Sequence, residues 1–237
     1  MSRQVEAFSE TQIWAHKHLI HFTAALLLTG FMLTYPQLLG WLAYVLAAPV
    51  ELAGKALGLS IAGYSAYSLG LQVARIIHRL AGIGLIIVAL VVFFREIWHP
   101  RKWFIWPEGG FGEAVRNMIR YYIHKEAARF SKYNLGQKAW AWAVIIGVPV
   151  MVVTGLILWF RSLFPAGVVE AAHMIHLIGA ILAALGLMVH VYAALGIPEH
   201  WPAVRAMFRT GTLPEEYVKK HHPLWYEKIA GGEEEEK

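Results

Sequence analysis

AAHMIHLIGAILAALGLMVHVYAALGI, residues 171–197, is the stretch whose reading decides the fold. Its 27 residues include no Lys, Arg, Asp or Glu. At 1.5 Å per residue it is long enough to cross a bilayer core of about 30 Å as a helix. Within it, His176 and His190 stand 14 residues apart. At roughly 100° per residue this spacing falls about 40° short of whole turns, so both imidazoles face the same way. Along the axis they lie about 21 Å apart, too far to share one metal ion and well placed to hold two separate groups.

The rest of the composition agrees with a membrane protein. Of 237 residues, 57% are hydrophobic and 16% charged, and the mean hydropathy of +0.47 is too high for an ordinary soluble domain. Cysteine is absent, which excludes disulfides, Cys-ligated zinc and iron–sulfur clusters held by this chain alone. Histidine is the abundant transition-metal ligand that remains. The net charge of +5 raises nucleic acid as a partner, but the basic residues lie beside apolar spans and no nucleic-acid motif accompanies them. The first 18 residues are mostly polar and no small-residue cleavage site follows, so no removable signal peptide is expected.

Four transmembrane helices are expected, at about 16–35, 71–98, 138–160 and 171–197, in an all-α bundle that forms a single domain over 1–237 with a tail from 198. Leu19–Val50 is uncharged but too long for one span, and Pro36 ends the first helix. The remainder of 36–70, with Trp41, Tyr44, Gly and Ser, reads as an interfacial or re-entrant loop. From Arg95 to Lys138 there are nine Lys or Arg, and six more follow the fourth helix. The 36–70 connection has only Lys55, and 162–172 has none. The positive-inside rule therefore places both termini and the basic loop in the cytoplasm of a multi-pass inner-membrane protein. The closing GGEEEEK reads as a solvated, disordered tail.

On this topology four histidines form two pairs at matching depth. His78 and His176 lie near the outer mouths of helices 2 and 4; His16 and His190 lie near the cytoplasmic ends of helices 1 and 4. A b-type haem takes two axial imidazoles from opposite sides, and facing helices of a bundle supply that geometry, so two haems b are expected. A single imidazole in a membrane helix can equally be an interhelical contact or part of a proton path. His18 and His21 compete with His16, and His173 shares a face with His176. His99, His124, His200, His221 and His222 fall outside the spans and are expected to face solvent. Arg75 and Arg79 flank His78 at helical spacing, suited either to haem propionates or to anchoring the helix mouth. The ten Trp and ten Tyr sit mostly at span ends, as an aromatic belt does.

Five strings give the chain a family likeness: His16 followed by Thr29-Gly30, ARIIHRLAGIG around His78, KYNLGQK at 132–138, MIHLIGA with VHVYAA on helix 4, and HHPLWYE at 221–227. Together they resemble the gamma subunit of membrane-bound respiratory formate dehydrogenase, a four-helix di-haem cytochrome b, over about residues 12–228. The resemblance implies that His78 and His176 bind the outer haem and His16 and His190 the cytoplasmic-side haem. It implies an iron–sulfur partner subunit on the outer face, a catalytic molybdenum or tungsten subunit beyond it, and reduction of menaquinone or another quinone near the cytoplasmic face. It leaves room for a higher oligomer of the complex. The chain would then be an electron-transfer subunit with a quinone site and no primary-substrate site. Related cytochromes serve hydrogenases and thiosulfate reductases.

The quinone site is expected at KYNLGQK with the His190 end of helix 4. Asn134 and Gln137 offer amide donors to the carbonyls, and Gly136 permits close backbone approach. The same residues are also ordinary turn and helix-cap chemistry. Two other classes compete with the cytochrome: a haem-free proton conductor that relays through its histidines, and a passive membrane anchor in which they are dispensable.

Overall fold

Uncharged segments of membrane length become helices because only a helix satisfies every backbone N–H and C=O within the segment. The computed structural model describes residues 3–59, 63, 65–96, 105–106, 109–126 and 130–231. In chain order the elements are β1 (Gln4–Glu6), α1 (Glu10–Thr34), α2 (Pro36–Leu39), α3 (Trp41–Ala56), α4 (Ala66–Glu96) and α5 (Phe111–Tyr122). They continue with α6 (Leu135–Trp159), α7 (Ala166–Leu195), α8 (Trp201–Arg205), a π-helical turn (Ala206–Thr210), β2 (Thr212–Pro214), α9 (Glu215–His221) and α10 (Pro223–Ala230). Helices α1, α4, α6 and α7 are long and apolar enough to cross a membrane.

Helix starts are set by local hydrogen bonds. α1 begins at Glu10, earlier than the expected 16, because Ser9 and Gln12 form a reciprocal capping box. The Gln12 N–H donates to Ser9 Oγ (3.2 Å), and Gln12 Oε1 accepts from the Ser9 N–H (3.1 Å). Ser65 caps α4 through the Ser68 N–H (3.2 Å). The expected end of the second helix at Trp98 lies outside the described residues, as do His99 and the acidic tail from 232.

The structure divides into two compact units. One comprises 17–91 and 154–180. Here the segment expected as a loop folds instead as α2 and the 16-residue α3, with Pro49 inside the helix. At 1.5 Å per residue α3 is about 24 Å long, short of a span. Its small residues Ala43, Ala47 and Gly54 are buried, and Ala43 packs with Met32 and Ala74. Gly70 of α4 is required at this contact, since a Cβ there would run into the Ala43 carbonyl. Small residues at 43, 47 and 54 let this helix approach its neighbours, and Leu42 and Leu46 pack beside them. Along α4 the exposed stripe Ile76, Leu80, Ile83, Ile87 and Leu90 opposes buried Ala74, Ala81, Leu85 and Val88, as expected where lipid covers one face.

The second unit comprises 1–16, 92–153 and 181–237. Its two ends of chain meet: β1 pairs antiparallel with β2 in the register Gln4↔Pro214, Val5↔Leu213, Glu6↔Thr212. Gly211 turns the chain at φ 70°, and its carbonyl accepts from the N–H groups of Ala7 (2.7 Å) and Phe8 (2.9 Å). Ala7, Ala206, Leu213, Val218 and Trp225 form the core of this cap. Residues 203–229 thus fold against the N-terminal strand, and α9 and α10 belong to the same packed piece.

Candidate functional site

Four of the histidines singled out above come together as two pairs, one in each unit. The His78 and His176 rings lie 6.3 Å apart, centroid to centroid, at an interplanar angle of 63°. The His16 and His190 rings lie 6.4 Å apart at the same angle.

Each ring of the first pair is held from its Nδ1. Thr29 Oγ1 stands 2.9 Å from His78 Nδ1, and Thr154 Oγ1 stands 2.9 Å from His176 Nδ1. The Thr29 hydroxyl already donates to the Ala25 carbonyl (2.6 Å), so towards His78 it acts as acceptor. His78 is thereby fixed as the Nδ1–H tautomer, with the Nε2 lone pair available. The next residue in each case is glycine. A Cβ at Gly30 would meet His78 Cε1 at 3.2 Å, and one at Gly155 would meet His176 Cε1 at 3.4 Å. The sequence signal for this role was the recurrence of a Thr-Gly dipeptide, at 29–30 and 154–155, on alternate long helices.

The second pair is built from aromatic contacts. Trp140 stacks on His190 at 5.2 Å and 15°, and lies over Gly186, one turn before His190, where a Cβ would meet the indole at 2.6 Å. Phe208 abuts His16 edge-to-face at 5.2 Å. His16 Nδ1 is buried and has no hydrogen-bond partner among the described residues. An unpaired buried ring nitrogen is costly unless the other nitrogen or a bound group compensates. The rival helix-1 histidines are placed elsewhere: exposed His21 has its Nδ1 2.6 Å from the Lys17 carbonyl, and His18 lies 6.4 Å from Phe22. His173 is exposed.

Ring centroids 6.3 and 6.4 Å apart leave space between the two imidazoles of each pair for one metal ion. No group of three or more His, Cys, Asp or Glu that could hold a metal ion occurs among the described residues. Two protein nitrogens fall short of the four ligands a bare zinc or copper ion takes, but suit a metal that brings an in-plane macrocycle with it. The donor set therefore fits haem. Arg75 and Arg79 are exposed on α4, and the Arg79 guanidinium lies 5.1 Å over the Trp159 ring. That cation–π contact ties Arg79 of α4 to α6.

KYNLGQK opens α6 through a second capping box. The Gln137 N–H donates to Asn134 Oδ1 (2.9 Å), and Gln137 Oε1 accepts from the Asn134 N–H (2.9 Å). Asn134 Nδ2 donates to Tyr122 Oη (3.2 Å), whereas Gln137 and Gly136 are exposed. A cavity of about 180 Å³ lies against Tyr133, Lys138, Asn117 and Glu113, smaller than the roughly 300 Å³ of a small-molecule pocket. Lys138 is buried and donates from Nζ to the Trp106 carbonyl (2.7 Å).

KYNLGQK, with the two residues before it, touches HHPLWYE. His222 Nδ1 lies 2.9 Å from the Ser131 carbonyl, the Leu224 N–H donates to the Phe130 carbonyl (3.2 Å), and Lys132 Nζ sits 5.3 Å over Trp225. His222 is mostly buried instead of solvent-facing, and burial first, then neighbouring positive charge, pulls its pKa down to about 4. His221 is also partly buried, 3.2 Å from Tyr121 Oη. His200 lies 2.7 Å from the Ala193 carbonyl, and His124 is exposed. The expectation of solvent-facing histidines fails at 221 and 222 because the remote partners Tyr121 and the Ser131 carbonyl join the local rings of Tyr217 and Trp225 against them.

Membrane-length helices bearing paired imidazoles are the arrangement of a helical membrane cytochrome. The comparisons agree: the family model for prokaryotic cytochrome b561 matches residues 7–210, and the chain belongs to that family. Membership carries haem b with it. The chain is 32% identical over 165 residues to the formate dehydrogenase cytochrome b556(fdo) subunit of Escherichia coli K12, covering 67% of this chain and 72% of that one. It is 29% identical over 171 residues to the nitrate-inducible cytochrome b556(Fdn) subunit of the same organism, covering 68% and 73%. Against the cytochrome b556 subunit of Haemophilus influenzae formate dehydrogenase it is 33% identical over 170 residues, covering 65% and 63%.

Proposed function

We propose that the whole chain acts as one di-haem cytochrome b subunit of a respiratory formate dehydrogenase, carrying electrons from an iron–sulfur subunit at the outer face to a quinone near the cytoplasmic face. The observation that carries this reading is the recurrence of one ring separation, 6.3 and 6.4 Å, at two histidine pairs. In it, His78 with His176, and His16 with His190, would each hold one haem b through their ring nitrogens. A haem b so held exchanges one electron at a time at its iron. The lipid-covered helices exclude water and ions from the rings, and Arg75 and Arg79 offer guanidinium groups to the propionates.

Quinone reduction needs two protons with its two electrons, which favours a site at a water-exposed edge. Asn134, Gly136 and Gln137 form such an edge. With its oxygen engaged in the cap, Gln137 keeps an exposed amide N–H₂ to donate to a quinone carbonyl. The positive-inside count supports placing this edge and both termini in the cytoplasm of an inner-membrane complex that also contains a molybdenum or tungsten catalytic subunit. The relatives' names favour formate as the ultimate donor; hydrogenase or thiosulfate reductase service would use the same core. The test is a reduced-minus-oxidised spectrum of native membranes given formate, hydrogen or quinol separately. Haem b bands that appear with formate and reoxidise on quinone addition support the reading; reduction by hydrogen alone reassigns the donor, and no haem b band refutes it.

A further inference from the structure

The two pairs differ in what stands behind the rings. Behind His78 and His176 stand the hydroxyls of Thr29 and Thr154, each 2.9 Å from an Nδ1 and each almost fully buried, at 4% and 6% exposure. Behind His16 Nδ1 stands no hydrogen-bond partner among the described residues. A buried hydroxyl within hydrogen-bond reach of an imidazole, repeated on two helices and each time followed by a glycine beside the ring, is a built feature rather than incidental packing.

We propose that Thr29 and Thr154 are positioning residues that fix the rings of His78 and His176 and lower the midpoint potential of the haem those rings hold. The inference rests on the axial-ligand reading above. An Nδ1–H that donates to a hydroxyl oxygen leaves the ring more electron-rich, so its Nε2 is a stronger donor and favours ferric over ferrous iron. The ring also loses its freedom to rotate about Cβ–Cγ, which holds Nε2 on the line towards its partner. For His78 the direction of the bond follows from the structure, since the Thr29 proton is engaged by the Ala25 carbonyl. The His16 ring lacks this support, so the device distinguishes one pair from the other and biases an electron away from the His78/His176 pair.

The test is spectroscopic redox titration of membranes carrying the full complex, with Thr29→Val, Thr154→Val, Thr29→Ser and Thr154→Ser. Valine keeps the shape and removes the hydroxyl; serine keeps the hydroxyl. Each valine variant is expected to raise the midpoint of the same haem component, the one lost in His78→Ala, and to leave the other unmoved. The serine variants should return to the wild-type midpoint. Selective loss of that one component in a valine variant also supports the positioning role. Unmoved midpoints in both valine variants with haem content intact, or serine variants that shift as far as valine, overturn the proposal. Unchanged haem content in His78→Ala would instead refute the ligand reading beneath it.

Discussion

Gln137→Glu separates the two jobs that the KYNLGQK turn could do. In the structure Gln137 Oε1 accepts from the Asn134 N–H at 2.9 Å, and the Asn134 side chain returns the bond to the Gln137 N–H at 2.9 Å. Glutamate keeps the acceptor oxygen, is as good as glutamine in a capping box, and adds a favourable charge at the helix N-terminus of about 0.3–1 kcal/mol. What it removes is the exposed amide N–H₂. A neutral hydrogen bond contributes about 0.5–1.5 kcal/mol net. At about 1.4 kcal/mol per tenfold, quinone reduction at subsaturating quinone should fall roughly two- to tenfold. Gln137→Ala removes both groups and should cost about 1 kcal/mol at the cap in addition. The assay is donor-driven reduction of a short-chain quinone in membranes, read beside haem content and thermal stability. Gln137→Glu is expected to lower the rate with stability unchanged or slightly raised. A wild-type rate in Gln137→Glu, with a stability loss in Gln137→Ala, would show that the residue only caps α6 and that the quinone binds elsewhere.

Three further outcomes follow from the packing and the charges. His222 has its pKa depressed to about 4 against an ordinary 6.5, so the folded cap binds fewer protons than the unfolded one. Stability is full above pH 6.5 and is lost progressively as pH falls towards 4, by up to about 3 kcal/mol. Protease susceptibility of the C-terminal segment should rise between pH 6.5 and 4 in wild type and should be flatter in His222→Gln. Gly70→Ala sets a helix-propensity gain of about 1 kcal/mol against a collision with the Ala43 carbonyl, a backbone atom that cannot swing aside. Overpacking of about 1–3 kcal/mol should win, lowering the melting temperature of the purified protein; an unchanged or raised value would count against the α3–α4 contact. A cysteine at Gly231 should resist an impermeant thiol reagent outside intact cells and react in inverted vesicles, and the reverse pattern would overturn the topology.

The long helices were legible because they are long and uncharged, and the histidine pairing because depth along a helix is countable from spacing. α3 was not, because its signal is the small-residue spacing of Ala43, Ala47 and Gly54 in a stretch whose Pro49, Trp41 and Tyr44 read as loop. The cap was hidden for another reason: β1 pairs with β2 across some 200 residues, and the cluster that buries Trp225 includes Ala7 from the other end of the chain. His222 shared that fate. KYNLGQK was readable in two ways, and the capping box realises the structural one while leaving the Gln137 amide free for the other. Thr29 and Thr154 were overlooked because a threonine in an apolar helix usually bonds back to its own carbonyls, and only the folded contact adds the histidine.

The central claim is that each histidine pair holds its own haem. A pyridine haemochrome assay of the purified protein, with His176→Ala and His190→Ala alongside, tests it directly. Two haems b per chain are predicted in the wild type and one in each variant, with a different spectral component missing from each. One haem or none in the wild type, or the same component missing from both variants, would contradict it.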